Sequence, residues 1–473
     1  MKKIRRFSLL LLVFSLAAGL CVPAMAQEGD TSLAVSSGCV TLDAQISLKS
    51  GEKLLDTAKA AILYELDSET LAYAWNPDQR LDPSGMNKLM TALLAAEKGD
   101  PDAVVTVTRT ALDSVAIGSV SAGLKVGEEI TLRDLLYCMM VGSANDAAAV
   151  IAEHIGTSQA AFVGLMNQRA KELGCENTQF MNPTGLSHEN QYTTARDLAK
   201  ITEAALHNET FMELFSAVNY TVPATNKSDA RQIVTTNYLM SKETVKNQFD
   251  ERVTGGKTGA LSTTDRSLIC TAENDGKRYL AVVMSAQGTV TANGLSVKTF
   301  GSFEETRALL DHGFGQYDLR QVLHVDQVMG QFKVSGGEND VIGCPTADII
   351  VSLPTDTAAA DVTYKCVPSA GALTAPVEKG QVIGTVEVWF RGLCVGQCDM
   401  VAMHGVDVPG VNNISLTPSA EEDANQALRT GLIIGGVVVL GLIAVGGIAL
   451  LVLRVVRQSQ RKRRHKLINE GSR

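Results

Sequence analysis

The sequence predicts an α/β domain whose sheet is interrupted by inserted helices, then a small all-β domain and a C-terminal transmembrane helix. Three observations predict it. Strand hairpins stand at both ends of residues 45–315 with helix-period segments between them. Residues 316–410 change to short alternating runs broken by Gly and Pro, and 430–453 is one uncharged apolar run.

The chain opens with the three parts of a secretory signal over residues 1–26. Lys2, Lys3, Arg5 and Arg6 precede the apolar "FSLLLLVFSLAAGL", and "AMA" ending at Ala26 is a small-x-small cleavage site, so the mature chain is expected to start near Gln27. Cys21 follows Leu20, which does not suit lipoprotein processing. "AAILYELDSETLAYAW" then reads as two strands around a polar turn. "NKLMTALLAAEKG", "SANDAAAVIAEHIG" and "QAAFVGLMNQRAKELG" have helical apolar spacing and end at glycine. "TTARDLAKITEAALHN" starts with Thr194 as a cap and Asp197 three residues on, a capping-box variant. "RSLICTAENDGKRYLAVVMSA" is a hairpin turning at Asn274-Asp275-Gly276. Strands, many helices, then strands again imply a sheet assembled from both ends of 45–315 around a helical part.

Residues 316–410, with "QFKVSG", "DIIVSLP", "DVTYKCVP" and "GTVEVWFRGLCVG", form the expected all-β domain. Residues 411–429 are polar and patternless, a juxtamembrane linker. Residues 430–453, between Arg429 and Arg454, are long enough for a hydrocarbon core of ~30 Å. The basic segment 454–473 is expected to stay in the cytoplasm, which leaves the body outside a cell membrane crossed once.

Charge excludes one class of partner. The formal total is −9; with +4 on the signal and +7 net on residues 454–473, the segment between carries −20. A body this acidic is not built to hold nucleic acid by neutralising phosphates. Cys138 and Cys270 lie in apolar runs and read as small buried hydrophobes. Cys394 and Cys398 are close enough in sequence to suggest a bridge in an exported protein. No second ligand pair of zinc spacing follows them, so neither a metal nor any organic cofactor is expected.

Three segments carry chemistry. Lys88 lies at the start of an apolar helix in "PSGMNKLM"; Ser143 and Asn145 precede another helix in "VGSANDAAAV"; Lys257, Thr258, Gly259 and Ala260 occupy a strand in "VTGGKTGAL". Taken singly, S-x-N before a helix is most often a cap, and K-T-G can be a turn. Their order across about 170 residues, counted from the sequence, is far more specific.

With these motifs, and with "NPTGLSHENQYTTARDLAKI", "RALLDHGFGQY" and "APVEKGQVIGTVEVWF", the chain resembles the D-alanyl-D-alanine carboxypeptidases, the low-molecular-weight penicillin-binding proteins, from about 45 to 410. The resemblance implies a β-lactamase/transpeptidase-like fold for 45–315. It also implies action on peptidoglycan stem peptides ending in D-Ala-D-Ala and reaction with β-lactams. Carried over by motif, Lys88 would be the base, Ser143 a proton relay and Asn145 the group orienting the substrate amide. Lys257 would anchor a carboxylate on the K-T-G strand, and the N–H groups of Gly85 and Ala260 would hold an oxyanion.

The chain departs from the family pattern where the chemistry is most demanding. Gly85 stands where the family has its nucleophilic serine. Leu261 replaces a threonine after the K-T-G, Asp265 a glycine, and Ser302 an arginine. Ser84 is the nearest hydroxyl, four residues before Lys88, but it is one Cα step, 3.8 Å, from the required place, and after Pro83 it reads more simply as a helix cap. A displacement of even ~1 Å from attack geometry can cost ~100-fold in rate. The expectation is a membrane-anchored family member that binds stem peptides with catalysis impaired or lost; the alternative is an active carboxypeptidase using Ser84. A β-lactamase is disfavoured, since no glutamate suited to deacylation is found.

Overall fold

The computed structural model describes residues 54–409 except 243–247, 293–296 and 370. The signal at 1–26, the linker at 411–429, the apolar run at 430–453 and the basic tail at 454–473 lie outside the described residues. Among the described residues no helix is long and apolar enough to cross a membrane.

The chain begins with β1 (Ala60–Glu65) and β2 (Thr70–Trp75), followed by α1 (Asn87–Lys98). Next come β3 (Val104–Thr106), α2 (Arg109–Asp113), β4 (Glu129–Thr131), α3 (Leu132–Met140), α4 (Asn145–Gly156) and α5 (Gln159–Glu172). After α6 (Ala195–Leu206) and α7 (Glu209–Ser216), β5 (Asn219–Val222) pairs with β6 (Arg231–Val234). The chain then returns to the main sheet with β7 (Val253–Ala260), β8 (Asp265–Asn274) and β9 (Lys277–Gln287). The short pair β10 (Thr289–Val290) and β11 (Val297–Thr299) leads into α8 (Gly301–Gln316).

The main sheet has the order β2-β1-β9-β8-β7, so its strands do come from both ends of the segment with helices α1–α7 between them. The two faces bury separate cores. Ile62, Ile269 and Val282 face the helical layer with Leu89, Leu93 and Ile151, while Leu63, Leu268 and Val283 pack with Phe303 and Leu309 of α8. Alternation with period two along each strand produces this division. β7 is an edge strand, and its free side meets the turn before α1.

Local expectations hold where the chemistry is local. The β8–β9 hairpin pairs Asn274 with Lys277 and turns through Asp275 (φ +49°) and Gly276 (φ +74°), the left-handed pair that a two-residue hairpin loop requires. The Thr194 side chain accepts from the Asp197 N–H at 3.0 Å. The capping box is not closed as expected: the Asp197 carboxylate accepts from Asn177 N and Thr178 Oγ1, which ties down the chain before the helix. α4 also departs from the simple glycine stop. Gly156 remains helical and Thr157 takes the left-handed turn (φ +63°). Gly156 instead permits close packing, since a Cβ there would stand 2.7 Å from the Phe162 backbone N.

Beyond α8 every strand is antiparallel. β12 (Tyr317–Leu323) pairs with β15 (Ile349–Pro354), and a five-stranded sheet has the order β13-β14-β18-β17-β16. Those strands span Gly330–Phe332 (β13), Val341–Pro345 (β14), Val362–Pro368 (β16), Val382–Phe390 (β17) and Leu393–Ala402 (β18). Tyr317 Oη donates to Ala72 O at 2.8 Å, and Ser352 N donates to Ser68 Oγ at 3.2 Å, joining these strands to the β1–β2 hairpin. The suggested Cys394–Cys398 bridge does not form: Cys394 is disulfide-bonded and Cys398 is a free thiol. Both residues lie on β18, where four residues span about 13 Å, beyond the ~7 Å that a disulfide tolerates between Cα atoms.

Replacing Gly156 by Ala should lower unfolding free energy by about 1–3 kcal/mol, because α5 would have to move away from α4. Urea titration of the variant against the parent measures it; equal midpoints would show that the close approach costs nothing to relieve.

Candidate active site

The turn Ser84–Met86 is a single 3-10 turn feeding α1, and it is pressed between two glycines. A Cβ on Gly185 (φ +81°) would stand 1.7 Å from Ser84 O, and a Cβ on Gly259 would stand 2.3 Å from Ser84 Oγ. Only residues without a side chain at 185 and 259 let the 182–191 loop and β7 approach this turn so closely. Gly85 lies against β7 as well: a Cβ there would be 3.0 Å from Thr258 O, 3.3 Å from Gly259 Cα and 3.8 Å from Ser143 Oγ.

The fold brings together Lys88, Ser143, Asn145 and Lys257, which lie far apart in sequence. Lys88 leaves the first turn of α1 and is 2 % exposed. Its Nζ donates to Asn145 Oδ1 at 2.7 Å and to the Thr184 carbonyl. Lys257, 1 % exposed on β7, places Nζ 2.9 Å from Ser143 Oγ and donates to Thr258 O at 2.9 Å. Burial, and then the charge of Lys257, hold the Lys88 ammonium well below the ordinary lysine range. Burial alone brings Lys257 down to about 7. Two buried ammoniums side by side are unfavourable, so near neutral pH the site tends to hold at least one neutral amine, a base ready to accept a proton.

Ser143 is half-buried in the α3–α4 connection at φ +61°, a left-handed conformation for a residue with a side chain. It does not cap α4; Ala144 holds that place without a side-chain bond. Asn145 begins the helix, and its Nδ2 makes no hydrogen bond among the described residues, which leaves an amide donor for a ligand. Asp146 holds the neighbouring loop, accepting from Ser121 Oγ, Ala122 N and Leu124 N. Lys257 is directed at Ser143, and burial lowers its proton affinity. Thr258 meets Thr236 through the two hydroxyls, and Ala260 ends β7 with an exposed side chain.

Ser84 stands next to position 85 and contacts neither lysine among the described residues. It takes φ +49°, is 1 % exposed, and its Oγ is turned toward Gly259 without a hydrogen-bond partner among the described residues. It bonds neither Lys88 nor Lys257, and it is not a helix cap, because the left-handed backbone aims its side chain at β7. Of the other departures, Leu261 is exposed, and among the described residues one buried Asp265 carboxylate oxygen has no donor and the buried Ser302 hydroxyl has no partner.

Sequence reasoning missed Thr184, whose carbonyl fixes Lys88, and the network behind it. Asn182 Oδ1 accepts from Thr184 N and Gly185 N, and Asn87 Nδ2 donates to Asn182 O and Gln191 Oε1. The "NPTG" stretch, with a glycine in a polar loop, was the signal available for it.

A lysine with a lowered folded pKa binds fewer protons folded than unfolded between that pKa and about 10.4, so its share of stability rises with pH across that window. Here the window opens near pH 7. The stability advantage of Lys257→Met over the parent should therefore shrink from pH 7 to pH 9, by up to ~1.4 kcal/mol per pH unit. Paired urea titrations test this; a pH-independent difference would mean that Lys257 keeps its solution proton affinity.

The D-alanyl-D-alanine carboxypeptidase family model matches residues 49–288, and the model of the penicillin-binding protein 5 C-terminal domain matches 317–408. The chain is 31% identical over 364 residues to the D-alanyl-D-alanine carboxypeptidase DacF of Bacillus subtilis, covering 76% of this chain and 89% of that one. It is 28% identical over 354 residues to DacD of Escherichia coli, covering 73% and 86%. The crystal structure of penicillin binding protein 5 from Haemophilus influenzae aligns with a TM-score of 0.59 at 26% identity, over 76% of this chain and 99% of that one.

Proposed function

The chain belongs to the D-alanyl-D-alanine carboxypeptidase family, and from that premise we propose a membrane-anchored, extracytoplasmic member that binds peptidoglycan stem peptides ending in D-Ala-D-Ala and cleaves them poorly or not at all. One observation carries this reading. The amines of Lys88 and Lys257, the Ser143 hydroxyl and the Asn145 amide are assembled around position 85, and position 85 has no side chain.

Each retained group has a task in binding. The β7 edge offers backbone groups to an extended peptide, as strand addition requires. The Asn145 amide can donate to a peptide carbonyl, and Ser143 and protonated Lys257 can meet a terminal carboxylate. Removing only the nucleophile deletes the bond-forming step and leaves the groove. β-Lactams fit the same groove by the same contacts, and no cofactor is required for any of them.

The alternative, an active enzyme using Ser84, has less support. A nucleophile needs a base within hydrogen-bond reach and a path to the carbonyl. The Ser84 hydroxyl is buried against β7 with no partner among the described residues. Anchoring rests on residues 430–453 and the basic flank after them, and export rests on residues 1–26.

Restoring the hydroxyl tests the reading. Full-length Gly85→Ser in detergent should release D-alanine from a D-Ala-D-Ala-terminated pentapeptide at least ~100-fold faster than the parent. Its Cβ needs β7 to yield only a few tenths of an ångström at Thr258 O. Parent turnover equal to the variant's, or a variant that stays inert, would defeat the proposal.

A further inference from the structure

Position 85, without a side chain, lies next to another hydroxyl, that of Ser143. We propose that Ser143, with Lys257 as its base, is a slow acyl-accepting nucleophile in this site, taking reactive acyl groups such as a β-lactam carbonyl bound beside the Gly85 backbone. The proposal rests on the reading that position 85 supplies no nucleophile.

The geometry supports each requirement. The point where a Cβ on residue 85 would lie is 3.8 Å from Ser143 Oγ. With hydrogen at 85, no side chain of that residue separates Ser143 Oγ from an acyl group bound in van der Waals contact with the Gly85 backbone. Ser143 is half-buried rather than enclosed, so an acyl group can reach it. Its Oγ is 2.9 Å from Lys257 Nζ. When the amine is protonated it donates to the hydroxyl; when neutral it accepts from it, and burial makes the neutral form abundant at neutral pH. The φ of +61° at Ser143 is a strained backbone of the kind that persists where surroundings fix a side chain for a task. Ser84 has none of these: no base, no exposure, and a hydroxyl turned toward Gly259.

The step balances without any further reactant. The Ser143 hydroxyl gives its proton to neutral Lys257 as Oγ bonds to the carbonyl carbon. Lys257 returns that proton to the leaving nitrogen as the C–N bond breaks, leaving an ester on Ser143. Water, deprotonated by the same amine, hydrolyses the ester to a carboxylic acid and restores the hydroxyl. The attack comes from a different place than position 85, so it is poorly aligned with oxyanion donors arranged for that position, which makes it slow.

The test is prolonged incubation of the full-length protein in detergent with a large excess of fluorescent penicillin, followed by peptide mapping by mass spectrometry. The parent should gain one penicillin on the peptide containing Ser143, at a rate at least ~100-fold below that of Gly85→Ser, whose label moves to position 85. Ser143→Ala should lose the parental label, and Ser84→Ala should keep it. Because residue 143 has a left-handed backbone, Ser143→Cys provides a second check: its label should remain at 143 as a thioester. A parental label on a residue other than Ser143 would overturn the proposal, and one on Ser84 would overturn the binding reading with it; no parental label while Gly85→Ser labels would overturn the proposal and leave the binding reading standing. If Gly85→Ser also fails to label, both fall together.

Discussion

The constraint on which the site depends is the close approach of the Ser84–Met86 turn to two backbones at once. Gly185 on one side and Gly259 on the other leave no space for any side chain between them and Ser84. This clamp sets the start of α1, and so directs Lys88 inward, where Asn145 and the Thr184 carbonyl receive its amine. The same clamp brings the β7 edge to the mouth of the site and holds Lys257 against Ser143. A looser turn would let water reach both lysines and return them to ordinary ammoniums.

The electrostatics follow from that enclosure. Lys88 and Lys257 sit in a body with a large negative formal charge, yet among the described residues neither pairs with a carboxylate; each is held by neutral oxygen acceptors. Acceptors of this kind satisfy N–H groups without cancelling charge, so burial lowers proton affinity instead of forming an ion pair. Such amines suit proton transfer better than structural support. In a chain with glycine at 85, these amines stand beside a position without a side chain, and that combination underlies both the binding proposal and the one for Ser143.

The strands after α8 serve the site indirectly. They lean on the β1–β2 hairpin through Tyr317, Ser352 and Ser68, at the edge of the main sheet opposite β7. The β2 edge of the main sheet is thereby covered, which removes an exposed strand that would invite aggregation, while β7 at the other edge borders the site.

What the sequence determined by itself was everything governed by neighbours along the chain. The Asn274-Asp275-Gly276 turn, the Thr194 cap, the helical spacing of α1 and the split of the sheet across the helical part were all legible, because period and turn chemistry act within a few residues. So was the family, through three motifs in order. What only the tertiary structure decided depends on groups far apart in sequence or on backbone angles that residue type does not set. Thr184 reaches Lys88 across 96 residues; Ser143 and Ser84 adopt left-handed backbones that send one hydroxyl to a lysine and the other toward Gly259. Cys394 and Cys398 look adjacent as letters but are held apart by an extended strand. Sequence spacing measures distance along the chain, and a catalytic site is made of distances across it.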